Sequence, residues 1–275
     1  MQYNRLNLFF MRYLVCVIFL ILNIVSYGLA DDSVETMSEN VYNDSSEKSG
    51  PDGLDGLDEF DEFDEFDEFE DEQAVEVYDP LSGYNRFMTR FNDRAYSWFL
   101  KPLAQGYSAI VKEPARLALG RLFANLGYPV RVVNNLLQLK IKQAGIETAR
   151  FGVNTTTGLL GLFDPAHSWL ELEPCPEDFG QTLGHYGVGS GFHIVLPFMG
   201  PSNLRDVFGE LPDYFLDPVI YIDEVEIRLA VTGVKVINFT SLYIEQYDTL
   251  KKDALDLYIF LRNAYETKRI KEIEE

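Results

Sequence analysis

Asp178–Gly209 reads DFGQTLGHYGVGSGFHIVLPFMGPSNLRDVFG, and the fold turns on how this stretch is read. It holds seven glycines and two prolines, Pro197 and Pro201, around one apolar run, Ile194–Met199. The run is far short of the ~20 residues that span a bilayer as a helix. A loop in water does not normally carry such a run, and a membrane-spanning helix does not normally carry so many backbone breakers. The stretch therefore reads as irregular backbone, either folded into a core, lining a cavity or lying at a membrane surface.

Upstream, the chain is a rapid series of short amphipathic helices, each opened by Pro or stopped by Gly. Asp79 is the expected N-cap and Pro80 the first residue of a helix to about Leu100. Its apolar positions, Tyr84, Phe87, Phe91, Ala95, Trp98 and Phe99, follow a 3.6-residue period with Arg86, Arg90 and Arg94 beside them. Such a stripe suits a core, and an aromatic face beside arginines also suits a lipid-headgroup interface. Pro102 starts a second helix to about Ile110, Pro114 a third that stops at Gly127, and Pro129 a fourth to about Lys140; a fifth runs to about Asn154. The apolar, Gly-containing stretch to Pro165 then breaks the pattern. It and a second loop, 187–201, bracket a short helix over 177–183. Downstream, Ser202 is expected to cap a helix near 203–208, with Pro212 and Pro218 punctuating an aromatic connection beyond it. Residues 223–247 read as helix with a weak point at Gly233, and a last helix runs from Asp253 to about Ile270. No run alternates as a strand does, so no sheet is predicted and the class is all-α.

The formal net charge of -21 over 275 residues is uneven. Residues 31–79 carry 21 acidic side chains and one basic one, whereas 80–275 carry 23 acidic and 20 basic. The acidic part is low complexity: Gly-Leu-Asp and then Glu-Phe-Asp triplets fill 53–69 with a period of three, placing Phe60, Phe63, Phe66 and Phe69 at regular intervals. That period fits neither helix nor strand, and like charges repel, so 31–78 is predicted to be an extended, disordered tether. Its phenylalanines are candidate stickers for a partner or a membrane surface. The remaining body is large enough for one domain, and no basic stripe points to nucleic acid.

Residues 1–30 have the layout of a secretory signal: Arg5 and Arg12, an apolar stretch from Tyr13 to Val25, and Gly28-Leu29-Ala30 as a cleavage site. The two cysteines are Cys16 and Cys175. Removal of 1–30 leaves Cys175 alone, with no intrachain disulfide. Cys16 follows Val15 and precedes its apolar segment, the reverse of a lipid-attachment signal, so no lipidation is expected. The three histidines, His167, His185 and His193, have no zinc-like spacing, and no metal or cofactor is expected.

The residues then fall into a pattern that resembles the MlaA (VacJ) family. It comprises Glu177–Gly184, Tyr186-Gly187-Val188-Gly189, Val195-Leu196-Pro197, Gly200-Pro201-Ser202 and Arg205-Asp206. Earlier pieces agree in order: Asp79-Pro80-Leu81, Asn85-Arg86, Phe91-Asn92-Asp93, Lys101-Pro102, Pro114-Ala115-Arg116, Val133–Gln138, and Arg150-Phe151 with Asn154. The resemblance spans 79–270, leaving 271–275 as a polar tail. It implies a flat ring of short amphipathic helices lying in the membrane plane around a central channel, with Gly-rich irregular loops. It also implies a role in Gram-negative outer-membrane lipid asymmetry. Phospholipid would leave the outer leaflet through the channel for a soluble periplasmic carrier, with a trimeric porin as membrane partner and the inner leaflet of the outer membrane as the setting. Such a ring needs an apolar rim but no spanning run. Most family members carry an N-terminal lipid anchor; this chain lacks that signal, so its rim or its partners would hold it.

A path for an amphiphile needs polar groups beside apolar surface. Asn92, Asp93, Asn134, Asn135, Gln138, Arg150, Asn154, Asp178 and Gln181 are candidate headgroup-side residues, each with a second reading as a helix cap or internal hydrogen bond. Gly187, Gly189, Gly191, Pro197, Gly200 and Pro201 are the candidate gate or hairpin loop. Enzyme motifs are incomplete: Asp178-Phe179-Gly180 lacks the other kinase elements, and Gly187–Gly191 follows no strand and precedes no Lys-Ser/Thr. His185 or His193 beside Asp178 would be the one acid–base pair, and no enzyme is expected. The rival reading is an outer-membrane adaptor that binds porins and moves no lipid.

Overall fold

The computed structural model describes residues 77–274. The signal peptide, Cys16 and nearly all of the acidic repeat segment lie outside the described residues.

Helix α1, Ser82–Ala95, continues through a π-helical turn, Tyr96–Leu100, into α2, Lys101–Ile110. Then come α3 (Glu113–Leu126), α4 (Tyr128–Leu137) and α5 (Ile141–Thr156). Pro114 and Pro129 sit in the first turns of α3 and α4, where a missing N–H leaves no helical bond unmade. The entry to α1 differs from expectation. Leu81, not Asp79, is its N-cap and makes no side-chain cap bond. Asp79 instead accepts hydrogen bonds from Asn85, Tyr258 and Arg262, so tertiary partners outcompete the local cap.

Two short helices come next, α6 (Pro165–Leu170) and α7 (Phe179–His185). Sequence reading missed α6, which Asp164 caps through the His167 N–H. Asp178 and Gln181 form a capping box on α7: the Gln181 N–H donates to Asp178 at 2.7 Å and the Asp178 N–H to Gln181 at 3.0 Å.

The Gly-rich stretch is where the expectation of no sheet is corrected. His193–Leu196 (β1) and Gly200–Asn203 (β2) pair antiparallel, with Val195 opposite Pro201. Pro197–Met199 makes the turn, with Phe198 at φ 65 and Gly200 at φ 94. A four-residue strand of Gly-Pro-Ser-Asn has little strand propensity of its own. The hairpin exists because α1 covers its other edge. The Asn85 amide accepts from the Val195 N–H (2.9 Å) and donates to the His193 carbonyl (3.0 Å). Two turns further on, Asn92 donates to the Leu196 carbonyl (2.8 Å) and accepts from the Phe198 N–H (2.8 Å).

Asn203, not Ser202, caps α8, and α8 runs through Pro212 to Leu216. After a 3₁₀ turn, Pro218–Tyr221, the 29-residue α9 covers Val225–Asp253 and α10 covers Leu257–Glu274. The break in α9 falls at the buried Tyr243 (φ -114, ψ 15), not at Gly233. Among the described residues α9 is one helix long and apolar enough to cross a membrane by length and composition, whereas no spanning run was expected. The class is nonetheless all-α as predicted, with helix over 74% of the structure.

Candidate functional site

Polarity is inverted between inside and outside. The largest fully buried side chains are Tyr243, His193, Glu147, Asn85, Asn134, Asn135, Asn203 and Asn238. The outward-facing ones include Phe99 (74% exposed), Trp98, Trp169, Phe198, Phe87, Ile141 and Leu160. A small apolar cluster of Leu117, Ala124 and Tyr243, with Phe239 and Leu242, joins α3 to α9. Most of the rest of the interior is hydrogen-bonded amide, carboxylate and guanidinium.

Three polar clusters organise that interior. In the first, Arg269 of α10 grips both oxygens of Asp178 (2.8 and 2.9 Å) while its Nε donates to Asp206 (2.9 Å). Asp206 also accepts from Tyr265 and Arg205. Burial by itself would raise the Asp206 pKa; the two guanidiniums and the Tyr265 hydroxyl outweigh it and hold this carboxyl below its ordinary value. Asp213, one side of the same cluster, goes the other way. It accepts from the Phe179 N–H and from Asn134, both at 2.8 Å, but desolvation dominates and pushes it up to about 6.

The second cluster clamps the extended segment between α6 and α7. Asn135 donates to the Cys175 carbonyl (3.0 Å), and Glu147 accepts from the Cys175 N–H (2.7 Å) while paired with Arg131 (2.8 Å). Gln138 and Lys140 hold Glu177, and Arg150 holds the Leu172 carbonyl. Arg150 and Asn154 also bind Asp164, at 2.9 Å each, which fixes α6. In the third, Asn238 of α9 accepts from Tyr107 and donates to the Arg116 carbonyl, tying α9 to α2 and α3.

The structure thus gathers Asn134, Gln138, Asp178 and Gln181 at the α4–α7 contact, where Thr182 donates to Asn134 (3.0 Å) and accepts from Gln138 (3.2 Å). Asn135, Arg150 and Asn154 line the neighbouring clamp. Asn92 stands apart on α1, bonded to the hairpin, and Asp93 pairs with Lys251. Of the candidate gate, Pro197 and Gly200 flank the hairpin turn. Gly187 and Gly191 take φ +82 and +76 in the connection before β1, Gly189 lies between them, and Pro201 sits in β2. Sequence reading missed Asn85, Arg131, Glu147, Asn203, Asp206, Asp213, Asn238 and Arg269. One signal was available: 131-134-135-138 and 147-150-154 are polar residues at the spacing of a buried helical stripe.

His193 donates to or accepts from Glu266 (2.8 Å), not Asp178, and is fully buried; His185 is exposed. Among the described residues no group of three or more His, Cys, Asp and Glu is placed to hold a metal ion. A cleft of about 540 Å³ opens beside α6, lined by Arg121, Phe163, Asp164, His167 and Trp169 among others.

Together these define a class: a helical protein with a hydrogen-bonded polar interior and an apolar exterior. The sequence profile described as MlaA lipoprotein matches residues 77–272. The chain belongs to the MlaA family. The chain is 35% identical over 193 residues to the Escherichia coli K12 intermembrane phospholipid transport system lipoprotein MlaA, covering 68% of this chain and 75% of that protein. It is 32% identical to the Haemophilus influenzae protein of the same description, over 70% of this chain and 78% of that one. An uncharacterised Rickettsia bellii protein is 36% identical over 69% of this chain and 74% of its own length. A solved structure described as "Structural basis for maintenance of bacterial outer membrane lipid asymmetry" superposes with a TM-score of 0.63 at 31% identity, over 71% of this chain and 98% of that one.

Proposed function

We propose that the protein transports phospholipid at the outer membrane of a Gram-negative envelope, taking it from the outer leaflet through its own polar interior to a periplasmic carrier. The inversion of polarity carries this reading. Exposing Phe99, Ile141, Leu160 and Trp169 to water is unfavourable, while facing them to lipid is not. Interior amides and carboxylates are costly in any fold unless satisfied, and here they satisfy one another in clusters that fix the helices and loops around the proposed path. The family's named relatives, described as phospholipid transport lipoproteins, point the same way.

In this reading Asn134, Asn135, Gln138, Arg150, Asn154, Asp178 and Gln181 shape the headgroup side of the path, with Asn92 and Asp93 at its α1 edge. Gly187, Gly189, Gly191, Pro197, Gly200 and Pro201 give the backbone freedom for a gate. The apolar rim lies in the inner leaflet of the outer membrane beside a porin trimer. No covalent chemistry is required.

The test is outer-leaflet phospholipid in cells lacking the protein, read by an outer-membrane acylase that modifies only misplaced phospholipid. A rise that the wild-type chain reverses is expected. No rise, together with purified protein free of phospholipid, would leave the porin-binding adaptor as the function.

A further inference from the structure

Helix α1 presents a face that the fold leaves uncovered. At 100° per residue, Tyr84, Phe87, Phe91, Arg90 and Arg94 fall within one sector about 120° wide. All five are exposed, and Trp98, in the π-helical turn after α1, is 71% exposed. Arg86 is spent on Asp256, but Arg90 and Arg94 make no ion pair or hydrogen bond among the described residues. Residues 82–101 hold four basic side chains and one acidic one, Asp93, which Lys251 neutralises. Phe91 packs edge-on to Phe198 (5.2 Å), so the face continues onto the hairpin tip. It is basic and aromatic in a chain that is otherwise acidic.

The complementary surface is in the same chain. Residues 53–69 carry nine acidic side chains, no basic one, and four phenylalanines three residues apart. We propose that this Glu-Phe-Asp repeat is an intramolecular ligand of the α1 face, its carboxylates meeting Arg90 and Arg94 and its phenylalanines meeting Phe87, Phe91 and Trp98. Reach allows it: Tyr78 and Asp79 are pinned to β1 and α10, and the 8 residues from Phe69 to Val77 extend to about 26 Å, whereas α1 is about 21 Å long. Extended repeats set phenylalanines about 10 Å apart, near the roughly 10 Å rise from Phe91 to Trp98. Any anionic lipid surface would have to displace the repeat to use this face. The proposal is independent of lipid transport, which the acylase measurement reads separately.

The test uses the full chain in nonionic detergent with Trp169→Phe, leaving Trp98 as the single tryptophan. Acrylamide quenching of Trp98 is compared with that in a chain carrying Phe60, Phe63, Phe66 and Phe69 all changed to Ser, in one carrying Arg90→Glu and Arg94→Glu, and in about 1 M salt, where screening reaches about 3 Å. Quenching is expected to rise about twofold or more in each, because a tethered ligand acts at an effective concentration in the mM range. A photoreactive benzophenone at position 63 is expected to crosslink to residues 84–99 of its own chain. Three results overturn the idea: quenching unaffected by the repeat, crosslinks only between chains, or Trp98 shielded by anionic vesicles equally well with and without the phenylalanines.

Discussion

Arg269 Nη1 and Nη2 meet the two oxygens of Asp178 at 2.8 and 2.9 Å, and this fork joins the last helix to the cap of α7. Because the same guanidinium reaches Asp206 through Nε, one side chain sets the positions of α7, α8 and α10.

Arg269→Met removes the one charge that compensates both carboxylates. Breaking a buried pair from one side costs about 3–5 kcal/mol, and Asp206 is buried along with Arg269. Thermal unfolding in detergent should show a large drop, while Lys268→Met, one residue away, should show little. Equal effects of the two would remove Arg269 from its assigned position.

Asn85→Ala leaves the Val195 N–H and His193 carbonyl without partners in a buried site. At about 1–3 kcal/mol for each orphaned group, the hairpin should open before the helices do. Limited proteolysis is expected to cut near 197–200 in this variant first. Asn92→Ala, at a half-exposed position, should raise cutting there with a smaller loss of stability.

A Cβ on Gly209 would stand 2.5 Å from the Gly180 nitrogen, so backbone meets backbone where α8 crosses α7. Gly209→Ala must push the helices apart, at about 1–3 kcal/mol or more. Gly152→Ala, whose Cβ enters open space, should be neutral or stabilising. Melting temperatures of the pair decide this directly.

Asp213 titrates near 6 in the fold against an ordinary 3.8, so the folded state holds a proton that the unfolded chain has lost between these values. Its contribution to stability therefore rises as pH falls from about 6 toward 3.8, and is lost as pH rises. In Asp213→Asn that component should vanish, so the wild-type minus variant stability should fall as pH rises across the same window. A wild-type minus variant difference that rises with pH across this window would show the carboxylate, not the acid, to be the preferred folded form.

Much of the helix series was legible because Pro114, Pro129 and Gly127 mark ends by backbone chemistry that acts within one turn. Asp79 and Pro212 each had a good local reading that was overruled from a distance, whereas Ser202 lost its cap to its neighbour Asn203. Asp79 is drawn to Asn85 and α10, Asn203 caps α8 in place of Ser202, and α8 continues past Pro212 where Asp213 is anchored by Asn134 and Phe179. The candidate residues Asn134, Gln138 and Asp178 could be picked out as polar groups in an apolar setting, but not sorted into clusters, since their tertiary partners lie 39 to 91 positions away in the chain.

The sequence alone determined the class and the family: periodicity, Pro and Gly punctuation and the Asp178–Gly209 pattern depend on short-range rules that survive without a fold. The tertiary structure alone decided that the glycine-rich stretch pairs as two strands, because the second strand has little propensity and the first is held by Asn85 and Asn92 of α1. It also decided which face is inside. An amphipathic helix shows two faces to any reader, and only packing shows that here most of the amides went inward and the aromatics out.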